Sequence, residues 1–210
     1  MGYIVLIADI VSSKDIESRR DLQLKISDVL DELNSKKNRY LVSPYTITLG
    51  DEFQAVFSRA DNVFSEVIQI LYAIYPVKVR LSFGIGDIVT PINAERAIGM
   101  DGSAFYQARK GIEALKKSNY LFSIKGLRES PVNLIPYILQ HISHSINQWR
   151  KNRLFILSLM FEKISIGEIA KKVKITDKAV YKNIEAGDIR VIIKLFQEIT
   201  TMMNLSLVGK

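Results

Sequence analysis

The alternation of β-prone and helical segments through the first 125 residues is the feature that most constrains the fold. An apolar β-rich run at residues 3–8 ends at Asp9, and two short β-prone stretches flank the tight turn Gly50-Asp51-Glu52. These two stretches are residues 45–49 and 53–57, and further strand candidates lie at 77–83 and 120–124. Helical apolar spacing occurs at residues 16–33, 61–74 and 98–117. The order β-α-β-β-α-β-α-β predicts an α+β fold with helices packed on a mixed, largely antiparallel sheet.

The character of the chain changes near Pro131 and Pro136, after which every segment has helical spacing. Residues 131–150 are predicted to be a connecting helix, and four shorter helical stretches follow it. We therefore expect three parts: a sheet-containing domain at 1–130, the connecting helix at 131–150, and an all-α domain at 151–210.

Composition excludes several classes of protein. Apolar residues make up 48% of the chain and charged residues 24%, which is typical of a globular protein. The chain has no cysteine and 2 histidines, which excludes disulfide frameworks, zinc fingers, thiolate catalysis and a His-rich metal centre. No apolar run reaches the ~18–20 residues of a membrane span, and the first nine residues lack the features of a signal peptide. We expect a cytoplasmic protein with no membrane partner.

Positive charge is concentrated in the C-terminal part of the chain. The formal net charge is +7, and residues 149–210 hold 12 Lys and Arg against 6 Asp and Glu. Such asymmetry favours a basic module that binds a polyanion. The alternative is a solvated, Lys-rich helical surface.

Carboxylates gather at one end of the predicted sheet. Asp9 lies at the C-terminal end of the first strand, and Asp51 and Glu52 lie in the hairpin turn. If these strands are neighbours, as the βαββ order favours, the side chains converge. Together with the backbone carbonyl of Ile10, they offer the hard oxygen ligands that Mg²⁺ or Mn²⁺ prefers.

The loop after the first strand is a candidate phosphate site. Ser12 and Ser13 lead into a helix, and hydroxyls and backbone N–H groups at a helix N-terminus commonly bind phosphate. Each carboxylate or serine taken singly also fits ordinary turn chemistry. Their combination favours a site for a metal ion and a nucleotide.

Residues 166–184 have the pattern of a helix-turn-helix. The positions expected on its inner side are apolar or small: Ile169, Ala170, Val173, Ile175, Val180 and Ile184. Thr176 or Asp177 is expected to cap the second helix. The predicted contacts with duplex DNA, through phosphates and base edges, are Thr176, Lys178, Ala179, Lys182 and Asn183. The alternative is a helical hairpin that packs on the first domain or mediates dimerisation.

Several segments resemble the palm domain of class III nucleotidyl cyclases and the related GGDEF domain. Residues 9–13 (DIVSS) and 49–53 (LGDEF) are similar to their metal-binding segments, and residues 80–86 (RLSFGIG) and 102–109 (GSAFYQAR) to a later strand and helix. The resemblance covers roughly residues 1–125 and implies a ferredoxin-like palm. It implies a Mg²⁺ or Mn²⁺ site at Asp9, Ile10, Asp51 and Glu52, and nucleotide contacts at Ser12, Ser13 and Lys125. With the helix-turn-helix added, the chain resembles the SatD family.

These features support two functions. The first is a DNA-binding regulatory protein whose palm-like domain senses a nucleotide and Mg²⁺. The second is a nucleotidyl-cyclase-type enzyme that acts on a nucleoside triphosphate with two metal ions. Tyr106 stands where a cyclase has Asn, and the cyclase Arg aligns nearer Lys110 than Arg109. These departures favour the first function.

The last helical stretch, residues 189–205, is more apolar than one packed face requires. Its apolar side chains include Ile192, Ile193, Phe196, Ile199, Met202, Met203 and Leu205. We expect a homodimer built partly on this stretch, because a lone helix-turn-helix reads only one half-site. The alternative is that the stretch folds back onto Trp149 and the first domain, which would leave a monomer.

Overall fold

The protein has an α+β fold in the computed structural model, which describes residues 2–11, 18–36, 38–128 and 134–208. Its elements are β1 (Tyr3–Ile10), α1 (Arg19–Ser35), β2 (Leu41–Leu49), β3 (Glu52–Phe57), α2 (Val63–Ala73), β4 (Val79–Gly86), α3 (Ser103–Lys116), β5 (Phe122–Lys125), α4 (Ile135–Asn147), α5 (Lys151–Phe161), α6 (Ile166–Val173), α7 (Asp177–Ala186) and α8 (Ile189–Leu207). The predicted order of elements is confirmed. Within the described ranges, no helix combines the length and apolarity needed to cross a membrane.

The strands form one mixed sheet in the order β2-β3-β1-β4-β5. Each neighbouring pair is antiparallel except β4 and β5, which are parallel. The units β1-α1-β2 and β3-α2-β4 are interleaved, so each contributes a strand that separates the two strands of the other. This arrangement puts β1 at the centre of the sheet with partners on both sides.

The two faces of the sheet bury different sets of side chains, because successive residues of a strand point to opposite faces. On one face, Ile4 and Leu6 of β1 belong to the large core formed with α1, α2 and the later helices. On the other face, Val5 and Ile7 belong to a smaller core covered by α3. Helices therefore cover both faces of the sheet.

Helix α3 lies very close to β4, and glycine makes this approach possible. A Cβ atom added to Gly84 would lie 2.0 Å from the carbonyl oxygen of Ala104, and one added to Gly111 would lie 2.0 Å from Oγ of Ser82. Neither distance is sterically allowed, so a larger residue at either position would push α3 away from the sheet. The close packing brings the side chains of α3 within reach of polar groups on β1 and β3.

The later helices (residues 134–208, the helical region) share one hydrophobic core with the earlier residues 2–128 (the sheet region). Phe196 of α8 stacks on Phe64 of α2 with ring centroids 4.4 Å apart, and it meets the ring of Phe122 edge-on at 5.7 Å. Tyr72 of α2 stacks on Phe155 of α5 at 4.3 Å. The helical region is thus packed on the sheet region as part of the same core.

The apolar side chains of α8 point mainly into this core. Its buried apolar residues are Ile189, Ile192, Phe196, Ile199, Met203 and Leu207, while Val191 and Leu205 are exposed. Trp149 is also buried. Folding back onto the sheet region therefore accounts for the high apolar content that suggested a homodimer. The homodimer itself stays a prediction, which light scattering of the purified protein would test.

A buried carboxylate joins α2 to β2. Glu66 accepts hydrogen bonds from the Tyr45 hydroxyl and from the amide of Asn38, each at 2.7 Å. Burial raises the pKa of Glu66 above its ordinary value, although these two hydrogen bonds and the nearby Lys36 act to lower it. Burial and the adjacent Glu66 also raise the pKa of Tyr45. Glu66 therefore retains its proton to higher pH in the folded state than in the unfolded chain.

We predict that Phe196→Ala lowers the free energy of unfolding by about 3–5 kcal/mol, because it empties the centre of the shared core. Urea unfolding followed by helix circular dichroism and by Trp149 fluorescence should give one coincident transition. Leu205→Ala, on the same helix at a side chain that is 63% exposed, is the control and should change stability by at most about 0.5 kcal/mol. Two separate transitions would show that the helical region folds independently.

We predict that the Glu66→Gln variant gains stability relative to the wild type as the pH rises from about 4 to about 7. The folded wild type binds more protons than the unfolded chain in this range, so its stability falls as the pH rises through the raised pKa. Thermal unfolding at several pH values measures the difference. Glu32→Gln, at an exposed carboxylate of α1, is the control. Parallel curves for Glu66→Gln and wild type would contradict the assignment.

Candidate functional site

Asp9 is the second-to-last residue of strand β1, and residues of two other strands lie beside it. Its cross-strand neighbours are Glu52 on β3 and Arg80 on β4. Asp9 shares the parity of Val5 and Ile7, so it is on the α3 face of the sheet. The expected neighbourhood of β1 and β3 is confirmed, and it brings Asp9 and Glu52 together.

Protein cations neutralise both of these carboxylates. Asp9 pairs with Arg80 (Oδ2 to Nη1, 2.8 Å) and with Lys116 (Oδ1 to Nζ, 3.0 Å). Glu52 pairs with Arg109 (Oε2 to Nη1, 2.6 Å). We call these five residues the charged cluster. It contains two carboxylates and three cations.

The carboxylates of the charged cluster are buried, and two of its cations are not. The side chains of Asp9 and Glu52 are 10% and 8% exposed, whereas those of Lys116 and Arg109 are 49% and 47% exposed. An unpaired carboxylate at that depth would carry a large desolvation penalty, and the ion pairs offset it. The cluster therefore presents cationic groups to the solvent above buried acids.

Helix α3 supplies two of the three cations from one side. Arg109 and Lys116 are seven residues apart, which is close to two helical turns, so they lie on the same side of α3. The contact of Gly111 with Ser82 holds this part of the helix against β4. The close approach lets both side chains reach the carboxylates of β1 and β3.

The hairpin turn lies beside the end of β1, as the sequence predicts. The backbone carbonyl of Asp51 accepts a hydrogen bond from the N–H of Ile10 at 3.0 Å. Asp51 is half-buried, and Glu52 belongs to β3 rather than to the turn.

The arrangement of these residues does not fit a Mg²⁺ site. Both oxygens of Asp9 are already paired with cations, and Glu52 is bound to Arg109 and to the hydroxyl of Thr48 (3.3 Å). Among the residues that the structure describes, no group of three or more His, Asp or Glu could hold a metal ion. The predicted ligands Asp9 and Glu52 thus lie side by side, with the backbone of Asp51 next to the end of β1, but protein cations pair with the Asp9 and Glu52 carboxylates that a metal ion would need.

Of the three predicted nucleotide contacts, the described residues include Lys125, which lies away from the charged cluster. Ser12 and Ser13 lie outside the described residues. Lys125 belongs to β5, which is two strands away from β1, and it pairs with Gly84 of β4. Since Asp9 pairs with Arg80 of β4, four residues earlier, Lys125 also lies about 13 Å farther along the strand direction. It lines a different cleft, of about 240 Å³, between β5 and the ends of α3 and α4.

The sequence contains a signal for the cations, although it does not identify their partners. The apolar residues of β4 alternate with other residues, and Arg80 lies between Val79 and Leu81. Alternation with period two places Arg80 on the opposite face of the sheet from these two side chains. Arg109 and Lys116 flank the buried face of α3 with helical spacing. Only the register of β1 against β4 and the position of α3 bring them to Asp9 and Glu52.

A second candidate site is the exposed side of α7, which follows α6 after a short turn. Lys174 has a left-handed backbone conformation, and Ile175 donates its N–H to the carbonyl of Ala170 at 3.0 Å. The Thr176 hydroxyl accepts the N–H of Ala179 at 3.2 Å, which confirms the predicted cap of α7. Helix α6, the turn and helix α7 thus follow one another directly along the chain.

The outward side of α7 differs in part from the prediction. Thr176, Lys178 and Lys182 are exposed, but Ala179 and Asn183 are half-buried. The amide of Asn183 donates to the carbonyl of Ala179 at 2.9 Å, so the side chain predicted to face outward is half-buried and engaged within its own helix. Tyr181, which is not among the predicted contacts, is 45% exposed on this side of α7. The spacing i, i+3, i+4 from Lys178 could have identified it.

The inner side of α7 is anchored as predicted. Val180 and Ile184 are fully buried in the core, and Ile169 of α6 is buried opposite them. The buried anchors hold α7 in one orientation, with Lys178, Tyr181 and Lys182 directed to solvent.

Two solved structures, each described as a bacterial light-regulated adenylyl cyclase, are similar to part of this chain. They match at 16% and 14% identity with TM-scores of 0.40 and 0.36. Each match covers 59% of this chain and 43% of the other, so the chain spans less than half the length of those proteins. A search of curated proteins finds no match.

The family comparison covers nearly the whole chain. The family model of SatD matches residues 3–203, so it includes both the sheet region and the helical region. On this match, the chain belongs to the SatD family.

Proposed function

We propose that the protein is a DNA-binding regulatory protein whose sheet region is a ferredoxin-like, cyclase-type palm that senses a nucleotide. The observation that carries the proposal is the exposed side of α7. The charged cluster supports the nucleotide part.

The exposed side of α7 has the chemistry of a helix that enters a DNA groove. Lys178, Tyr181 and Lys182 lie together at its surface, and Thr176 adds a hydroxyl at the N-terminus. The major groove of B-DNA admits an α-helix, and lysines suit phosphates or guanine there. Since Val180 and Ile184 fix the opposite side, α7 need not reorganise to bind.

Further lysines surround this helix. The exposed lysines of α6, α7 and the turn between them are Lys171, Lys172, Lys174, Lys178 and Lys182. Such a cluster attracts a polyanion by releasing counter-ions from the phosphate backbone. This location explains why the excess of positive charge lies in the C-terminal part of the chain.

The shared core provides a physical connection between the two sites. The stacked rings of Tyr72 and Phe155 fix α5 against α2, and α5 in turn packs against α6 and α7. A ligand that shifts the sheet region would therefore also move the DNA-binding helices. This connection supports regulation of DNA binding by a nucleotide.

The alternative, a two-metal enzyme of the nucleotidyl cyclase type, is less well supported by the site. Such chemistry needs carboxylates free to bind metal ions, and Arg80 and Lys116 engage both oxygens of Asp9. Incubation with each nucleoside triphosphate and Mg²⁺ or Mn²⁺, followed by mass analysis, should give no cyclic or hydrolysed product. Product formation that Asp9→Asn abolishes would establish the enzyme.

We predict that Lys182→Ala weakens binding to a mixed-sequence duplex of about 20 bp and reduces the slope of log affinity against log salt by about 1. The reason is the loss of one phosphate contact. Fluorescence anisotropy over a series of salt concentrations measures both quantities. Lys194→Ala, at an exposed lysine of α8, is the matched control because it removes the same charge from a different helix.

Equal losses in the Lys182 and Lys194 variants would contradict the role of α7, since they would indicate a general charge effect. Asn183→Ala should leave affinity within about two-fold of wild type, because the Asn183 amide is engaged within the helix. Tyr181→Ala should weaken binding more than Asn183→Ala does.

A further inference from the structure

We infer that the charged cluster binds the phosphate groups of a nucleotide directly, through Arg109 and Lys116, without a divalent metal ion. The inference rests on the proposed function, because it specifies how the sheet region would hold its nucleotide. It replaces the Mg²⁺ site expected from the sequence with a site built from protein cations.

The carboxylate of Asp9 already has two cationic partners. A metal ion at Asp9 would lie next to the positive charges of Arg80 and Lys116, which bind its two oxygens at 2.8 and 3.0 Å. The Arg80 side chain is 17% exposed, so its displacement by a metal ion would leave a largely buried cation without its partner. The existing pairs therefore oppose the binding of a metal ion.

Arg109 and Lys116 keep hydrogen-bond donors that their carboxylate partners do not use. Arg109 uses Nη1 to bind Glu52, and a guanidinium has five N–H donors, so several are left for other acceptors. The ammonium of Lys116 has three N–H donors and contacts one oxygen of Asp9. Both side chains are about half exposed, at 47% and 49%. They can bind an anion from solvent while they keep their partners.

Arg109 and Lys116 are held close enough together for one ligand to contact both. Arg109 and Lys116 are anchored on Glu52 and Asp9, which face each other across β3 and β1 with Cβ atoms about 5 Å apart. One ligand with two or more linked phosphates can bridge cations held on neighbouring carboxylates. A nucleoside di- or triphosphate has this chemistry, and so does inorganic triphosphate. The experiment below distinguishes the two sources.

The two site models predict opposite effects for the same substitutions. If Asp9 and Glu52 were metal ligands, Asp9→Asn and Glu52→Gln would weaken nucleotide binding. If Arg109 and Lys116 bind phosphate directly, either substitution removes a negative charge beside the anion. Binding should then become tighter, by about three-fold for one charge at ~6 Å in a water-like dielectric.

The experiment is isothermal titration calorimetry of the full chain with ATP, first with EDTA and then with MgCl₂. We expect dissociation constants that agree within about three-fold, because the chelated metal should not be needed. Arg109→Ala and Lys116→Ala should weaken binding at least about ten-fold by removing a charge-assisted hydrogen bond. Lys110→Ala and Lys117→Ala are matched controls at exposed lysines that join no ion pair with any residue in the described ranges, and they should stay within about two-fold.

The outcomes separate this inference from the proposed function. ATP binding that requires Mg²⁺ and is lost in Asp9→Asn would overturn the inference and leave nucleotide sensing in place. No binding of ATP or GTP in either condition would contradict nucleotide sensing itself. Inorganic triphosphate that binds as tightly as ATP would support direct phosphate binding but contradict a nucleotide as the ligand. Circular dichroism checks that each variant is folded, and Glu52→Gln gives the same test if Asp9→Asn does not fold.

Discussion

The need to neutralise two buried carboxylates determines the arrangement of the sheet's α3 face. Asp9 and Glu52 are side by side under α3, where an unpaired negative charge would be strongly destabilising. Arg80 supplies one cation from the adjacent strand, and α3 supplies the others only because it lies so close to β4. Gly111 permits that approach. The packing of α3 and the charge balance of the cluster are thus two aspects of one constraint.

The opposite face of the sheet is organised by apolar packing. Phe196 contacts α2 and β5, and α5 stacks on α2, so the helical region completes a core that the sheet region leaves open. A chain with one core responds to a ligand as a unit more readily than one with two domains on a linker. This property suits a regulator in which a nucleotide at one place alters the position of a DNA-binding helix at another.

The acidic segments resemble those of nucleotidyl cyclases and imply a metal site. The charges observed around these segments imply a different environment, in which protein cations bind the carboxylates. The segments at residues 9–13 and 49–53 predict a metal site, and the backbone does bring their strands together. Arg80, Arg109 and Lys116 form ion pairs with the carboxylates of Asp9 and Glu52, at positions that metal ions would otherwise need. The proposed binding of phosphate by protein cations rests on this difference between the two patterns.

Local patterns in the sequence were sufficient to predict the order of elements, the α+β class and the cap at Thr176, because period, propensity and capping depend on residues within a few positions. They could not give the partner of Asp9, since Arg80 is 71 residues away and meets it only through the register of β1 and β4. Nor could they show that α8 folds into the core or that Lys125 lies away from the carboxylates. Ion pairing and burial depend on which distant segments meet, and only the tertiary structure decides that.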